Sequence, residues 1–450
     1  GCLESLATDG SLANLCDIPY LSLTENWWSH YMYDNLRINN KMYFTTGDIT
    51  PTMYQMPACV YINRDLAEDY QVDTDFASLV LDGKWTFDAL NQVVADKDDD
   101  LNNDDVYNEN DDFFGFAVQM HGLMTQSLLC GAGVNLSSVT DDGSNIVIDF
   151  SGDRTASVVE KIRQLIPQHI VYGGSGVNVS KIFTENRSIA MMHFVESSMN
   201  SLRDMKSDYY ILPVPKYDES QEDYRSVVNP WINAFAAIPL NADPEFSGFI
   251  TEAMARYSYE NIRPKAYDIT YKVKMTRDEH GAEMLDVIFN NVYLDFNCIY
   301  DFGTTRSKLD SIIIHNDPLT STIAAVQSKA DSEIADAQKL RTEAEAMKAE
   351  YEQNLQNART EANQIVAAAQ KTATARSEEL LGEARAQAAA LKQKAEADIA
   401  QERKKAVNEV KDEIGGIAME IASKVVEREI KEADHKDLID EFIKNVGEAS

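Results

Sequence analysis

The chain has 450 residues, 44% of them hydrophobic, with 41 basic and 74 acidic side chains and a formal net charge of −33. That length suits two or three domains; so acidic a surface repels nucleic acid and anionic membrane, making both poor partners, and it otherwise reads as a solubilising charge. The five cysteines (Cys2, Cys16, Cys59, Cys130, Cys298) show no CxxC and no metal-type spacing, so neither a disulfide framework nor a zinc site is expected.

Composition divides the chain. After Pro318 there is no proline, cysteine or tryptophan, and the only aromatics are Tyr351 and Phe442. That stretch holds 26 acidic and 19 basic residues, a net of −7, which leaves −26 for residues 1–318. A core can therefore be built only in the first part. No run of about 18 apolar residues is present to cross a membrane, and no signal peptide opens the sequence.

In residues 1–318 short apolar runs alternate with helical patterns, the mark of an α/β body. Strands are expected at Ala58–Ile62, Phe114–Gln119, Ile146–Phe150, Ile189–Phe194 and Tyr209–Val214. Helices are expected at Phe87–Val94, capped by Thr86, and at Thr155–Leu165, Pro244–Ser258 and Ala282–Phe289. Between them, residues 100–111 place Asp100, Asn102, Asp104, Asn108 and Asp111 at loop positions 1, 3, 5, 9 and 12, with the Val106 carbonyl at position 7. This is the pattern of a calcium loop, in which hard oxygens replace the hydration shell. Asp105 stands where such loops carry glycine, and Asp111 replaces the bidentate glutamate; both weaken binding. The alternative is a solvated acidic turn. The seven histidines (His30, His121, His169, His193, His280, His315, His435) have no partner at nucleophile or metal spacing, no phosphate loop is present, and no enzyme is expected.

Several segments of this part carry a resemblance. They are Asn26-Trp27-Trp28, Tyr43-Phe44, Val60-Tyr61-Ile62-Asn63-Arg64-Asp65, Gly83-Lys84-Trp85-Thr86-Phe87, Leu212-Pro213-Val214-Pro215-Lys216 and Thr276-Arg277-Asp278-Glu279. In that order and spacing, residues 6–318 resemble an extracellular solute-binding protein of a sugar-importing ABC transporter. The resemblance implies a two-lobed body that closes on an oligosaccharide and delivers it to a membrane permease. It begins well inside the family's first lobe, so that lobe is expected to be incomplete. Sugar faces pack on aromatic rings, which makes Trp27, Trp28 and Trp231 the candidate ligand residues; the alternative for each is an ordinary core aromatic.

From Leu340 to Ile421 an apolar residue recurs every eleven positions. Leu340, Tyr351, Ala362, Ala373, Ala384, Ala395, Ala406 and Ile417 form one column. Ala344, Leu355, Val366, Ser377, Ala388, Ile399, Val410 and Ile421 form a second, and Met347, Ala358, Ala369, Leu380 and Leu391 flank the first half. Eleven residues over three turns is about 3.67 per turn, which two helices keep in register only by coiling right-handedly. The expected helix of some eighty residues is on the order of 120 Å long, and its alanine-rich seam calls for a partner helix. Gly415-Gly416 marks the place where a hairpin could instead fold back.

Ala344-Glu345-Ala346-Met347-Lys348-Ala349-Glu350-Tyr351-Glu352, Ala395-Glu396-Ala397-Asp398-Ile399, Ala418-Met419-Glu420-Ile421-Ala422-Ser423-Lys424-Val425-Val426 and Asp434-His435-Lys436-Asp437-Leu438 carry a second resemblance. Residues 341–447 resemble the soluble part of subunit b of F-type ATP synthase, the peripheral stalk. This implies a homo- or heterodimeric stator without chemistry of its own, docked on the delta subunit and the catalytic F1 head. The contact residues would be Ile421, Val425, Leu438, Ile439 and Phe442. The family's membrane helix is not expected here, since the other body stands in its place.

The chain is thus expected to be an α/β two-lobed solute-binding-like body (1–318, first lobe incomplete), a junction helix (319–339), a right-handed coiled-coil stalk (340–421) and a docking segment (422–450). The two resemblances imply opposite sides of a membrane, the body outside and the stalk in the cytoplasm. We read the chain as a chimera whose leading function is the stator and whose alternative is a sugar receptor with a helical tail.

Overall fold

The computed structural model describes residues 6, 10–148, 150–165 and 178–426. The chain divides into two units, Gly1–Lys348 and Ala349–Ser450.

In the first unit the main elements are β1 (Ala58–Asn63), α1 (Phe87–Val94), β2 (Phe114–Val118), α2 (Leu123–Gly131), β3 (Ser138–Val139), β4 (Ile146–Val147), α3 (Asp153–Leu165), β5 (Ser188–Phe194), β6 (Tyr209–Pro213) and β7 (Ser226–Val227). They are followed by α4 (Pro244–Tyr257), two π-helical stretches (Ser258–Ile262, Pro264–Met275), α5 (Gly281–Asn290), β8 (Val292–Tyr293), α6 (Phe296–Tyr300) and α7 (Thr305–Ile314). The last element, α8 (Leu319–Val426), begins in this unit and ends in the second. Four strands form the central sheet in the order β2-β5-β1-β6, with β1 antiparallel to both β5 and β6 and β2 parallel to β5. Every residue of β1 and β2 is buried, as expected of a sheet covered on both faces.

Local chemistry sets the helix ends. The Thr86 hydroxyl accepts from the Ala89 amide at 3.3 Å, so α1 starts where its cap predicts. Asp243 caps α4 ahead of Pro244, whose missing donor costs nothing in a first turn. Trp85, fully buried, donates its indole N–H to the Pro213 carbonyl at 2.9 Å and ties the loop before α1 to the end of β6. One expectation fails here. Among the described residues of the run Ile146–Phe150, Ile146 and Val147 pair with Val139 and Ser138; Ile148 and Phe150 are buried outside the ladder.

The body has two hydrophobic cores. The larger surrounds the sheet, and the smaller gathers Leu15, Ile18, Trp28, Met32, Phe44, Met56, Val228, Ile238, Leu294 and Phe296. The chain passes between the cores at several places, among them Met56–Ala58, Val227–Val228 and Tyr293–Leu294. These three crossings run side by side. Pro57 bridges Val228, β7 pairs with β8, the Val228 amide donates to the Tyr293 carbonyl at 3.1 Å, and the Asn229 amide to that of Met56 at 3.0 Å. Two cores joined by these adjacent strands, and again between Ala255 and Tyr267 and between Ile299 and Leu309, make a two-lobed body.

The start of α8 is part of this body. Ile323, Val326 and Ala330 are buried in the larger core with Leu309 and Ile312 of α7, and Ile334 packs against it. The Glu333 carboxylate accepts from the Gly303 amide at 2.8 Å, and Gln338 donates to the Asn145 side chain at 2.7 Å. In the second unit α8 runs through Gly415 and Gly416 without interruption, so the hairpin alternative at that point is not adopted.

Loss of water around His193, at the end of β5, holds its pKa down at about 4. The unfolded chain takes up this proton near its ordinary pKa of about 6.5. The stability this residue contributes is therefore complete above pH ~6.5 and is lost as pH falls from there toward 4, by at most about 3 kcal/mol. Urea unfolding followed across this range should show a flatter profile for His193→Gln than for the native chain.

Candidate functional site

Two regions of the body hold the candidate ligand residues. Trp27 and Trp28 precede the first short helix, and their indole N–H groups donate to the two oxygens of one carboxylate, Glu252 of α4, at 3.0 and 2.9 Å. The Ser22 amide adds a third bond to the same group at 3.1 Å. Trp28 is buried in the smaller core, and Trp27 is half-buried beside Tyr259. Trp231 is 51% exposed, with the Arg306 guanidinium 4.2 Å over its ring; Asp301 holds that guanidinium at 3.2 Å. The structure thus brings Trp27 and Trp28 together on Glu252, whereas Trp231 has other neighbours. Two cavities in the body, of about 590 and 530 Å³, are lined by other side chains, including Tyr31, Arg225 and Asp295 in the first and Tyr43, Tyr300 and Ile334 in the second.

Glu252 is the residue sequence reasoning missed, because a single glutamate 224 residues from Trp28 gives no signal. Glu252→Ala should lower the stability of the body by about 2 kcal/mol by stranding the buried Trp28 N–H. Glu252→Gln, which keeps one acceptor, should lose less; urea titration monitored by tryptophan fluorescence reads both.

Residues 100–111 form a tight polar loop. Asp100 accepts from the amides of Asn103 and Asp105, each at 2.8 Å, and Asp104 from that of Val106 at 2.8 Å. Asn102 donates to Asp111 at 3.0 Å, and Asn108 accepts from the Asn110 amide at 3.0 Å. Asp105 takes the left-handed conformation (φ 60°) that glycine would provide. Arg187 anchors the loop through the carbonyls of Glu109 and Asp112 at 2.8 and 3.0 Å. Among the described residues no group of three or more His, Cys, Asp or Glu side chains is placed to hold a metal ion.

From Leu340 onward, in the last residues of the first unit and through the second, α8 presents an exposed face. The larger apolar residues of the two main columns, namely Leu340, Tyr351, Leu355, Val366, Ile399, Val410, Ile417 and Ile421, are all exposed, from 40% at Leu355 to 67% at Tyr351. Ala344, Ala362, Ala373, Ala384, Ala388, Ala395 and Ala406 lie between them and are exposed as well. Val407 and Ile414, outside the columns, are exposed too. With Val410, Ile417 and Ile421 they are spaced 3-4-3-4, the seam of an ordinary heptad. Pairs such as Lys392–Glu396 (4.0 Å) and Lys424–Glu420 (3.4 Å) lie along the same helix; exposed pairs of this kind contribute only about 0.3–0.5 kcal/mol each. Val425 lies in the last turn of α8, and Leu438, Ile439 and Phe442 lie outside the described residues.

Comparison with known proteins assigns this helix. The family model for ATP synthase B/B' CF(0) matches residues 312–427. ATP synthase subunit b of Symbiobacterium thermophilum is 36% identical over 129 residues, which span 29% of this chain and 80% of that protein. Subunit b of Alkaliphilus oremlandii is 32% identical over 158 residues, 34% of this chain and 95% of that protein. Through this region the chain belongs to the ATP synthase subunit b family. The match begins at residue 312, ahead of the regular eleven-residue period, and includes the turns of α8 buried in the body. Among solved structures, the sugar-binding protein MalE from Xanthomonas citri superposes with a TM-score of 0.52 at 11% identity, covering 74% of this chain and 82% of that one. At that identity the likeness is one of fold: the body has the two-lobed fold of solute-binding proteins. No helix among the described residues is long and apolar enough to cross a membrane.

Proposed function

We propose that this chain is a stator polypeptide of the subunit b type, with no chemistry of its own, whose second unit pairs with another long helix. The observation that carries the reading is the exposed apolar stripe from Leu340 to Ile421, which a single helix has no means of burying. The partner is a second copy or a related stalk helix, coiled right-handedly along the eleven-residue columns. Residues Ile421, Val425, Leu438, Ile439 and Phe442 dock the delta subunit and F1 head on the cytoplasmic side. Sedimentation of the full chain across a concentration series tests this. A reversible dimer supports the stator; a monomer at every concentration, also in the presence of a subunit b stalk helix, overturns it.

A second reading rests on the fold likeness to a sugar-binding protein. In it the body is an extracytoplasmic receptor that hands an oligosaccharide to an ABC permease, with Trp27, Trp28 and Trp231 at the ligand. Calorimetric titration with a panel of oligosaccharides supports it if one releases heat that Trp231→Ala abolishes. On either reading the polar loop at 100–111 is a calcium site held by Asp100, Asn102, Asp104, Val106, Asn108 and Asp111. Calcium should then raise the melting temperature of the full chain and a chelator reverse it, while Asp100→Asn removes the response.

A further inference from the structure

Cys130 and Cys298 lie 168 positions apart in sequence, on α2 and α6, and both are fully buried in the larger core. The Cys298 thiol hydrogen-bonds to Cys130. A second observation brings the same two elements together. The Asp295 carboxylate, which caps α6, accepts from the amides of Leu136 and Ser137 at 3.1 Å each and from the Asn297 amide at 2.7 Å. The loop leaving α2 is thereby bolted to the first turn of α6, and these two helices carry Cys130 and Cys298.

We propose that Cys130 and Cys298 form a disulfide when the body folds in an oxidising compartment, with a small-molecule or protein disulfide as the oxidant. One protein thiolate attacks a sulfur of the oxidant, forming a mixed disulfide and releasing a first thiolate. The second protein thiolate displaces the remaining half and closes the S–S bond. Two protein thiols are oxidised, one oxidant disulfide is reduced to two thiols, and the two protons leave on those thiols. In the closed core the contact with Cys130 and burial hold the Cys298 thiol well above its ordinary pKa, and attack requires the thiolate. The bond therefore forms before the core closes and is afterwards shielded from reductant. The pair records the compartment in which the chain folded, crosslinked outside the cytoplasm and dithiol within it.

The test refolds the reduced full chain in parallel with oxidised plus reduced glutathione or with reduced glutathione alone, then counts maleimide-reactive thiols in denaturant. Recovery of the native tryptophan emission confirms folding. Uptake should fall from five thiols to three in the oxidising arm only, with a mass lower by two hydrogens and a non-reduced peptide linking Cys130 to Cys298. Cys298→Ser should hold four reactive thiols in both arms, whereas Cys16→Ser should still fall from four to two. Five reactive thiols after oxidative refolding, or a crosslink mapped to any other pair, would overturn the proposal.

Discussion

Replacing Val326 by aspartate is expected to unfold the body at a much lower urea concentration while exposed changes nearby do little. Val326 is 1% exposed in the larger core, three residues after the buried Ile323 and four before the buried Ala330. Its carbonyl lies 2.4 Å from the position a Cβ on Gly303 would occupy, and Gly303 is itself left-handed (φ 66°), so this side of α8 leaves no room to shift. A carboxylate here enters apolar surroundings without a cation, at a cost on the order of 4 kcal/mol. That is a large part of the ~5–15 kcal/mol that holds a domain together. All four tryptophans lie before residue 318, so tryptophan emission reports the body alone, and far-ultraviolet dichroism reports helix throughout. The emission midpoint should drop steeply for Val326→Asp and stay within experimental scatter for Lys329→Ala. An unchanged midpoint for Val326→Asp would mean that the first turns of α8 are not part of the fold.

A pair of glutamates at Val366 and Val410 should abolish self-association of the full chain. Both positions lie on the second column and are more than half exposed in the single chain, so the change costs the monomer little. In a dimer each introduced charge is desolvated against a seam of alanine and valine and opposes its own copy. A loss of ~3 kcal/mol or more raises the dissociation constant by a factor of about 100 or more. Glu378→Lys, outside the three columns, should leave sedimentation unchanged. If the double variant sediments as the native chain does, the columns are not the contact.

Legibility in the sequence followed the range of the interactions. The runs at 58–62 and 189–194 become strands because both faces of the sheet are covered, so apolar content alone marks them. Helix α1 begins at its predicted residue because its cap is local, Thr86 to Ala89. The run at 146–150 misled because alternation records burial, whereas strand length depends on how much partner is available, here two residues. The spacing of Ile323, Val326, Ala330 and Ile334 was a helical stripe open to reading, hidden by the absence of aromatics after Pro318. The clamp of Glu252 on two indoles was not readable, since the indoles lie 225 and 224 residues from it and meet it only in the folded smaller core. The apolar columns were fully legible, yet a period says which face wants a partner and not which partner it finds.

The three neighbouring crossings between the lobes also bear on the mechanics of the body. Each crossing is a single extended segment, and the bonds linking neighbours run from backbone to backbone at Val228 and Asn229. Such a ribbon is stiff within its own plane, where bending would shear those bonds, and compliant perpendicular to it, where the torsions of one or two residues absorb the rotation. The softest motion this ribbon itself offers the lobes is therefore perpendicular to its plane. A proline at residue 228 would remove the amide that ties two of the crossings, loosening the ribbon in the direction it now resists.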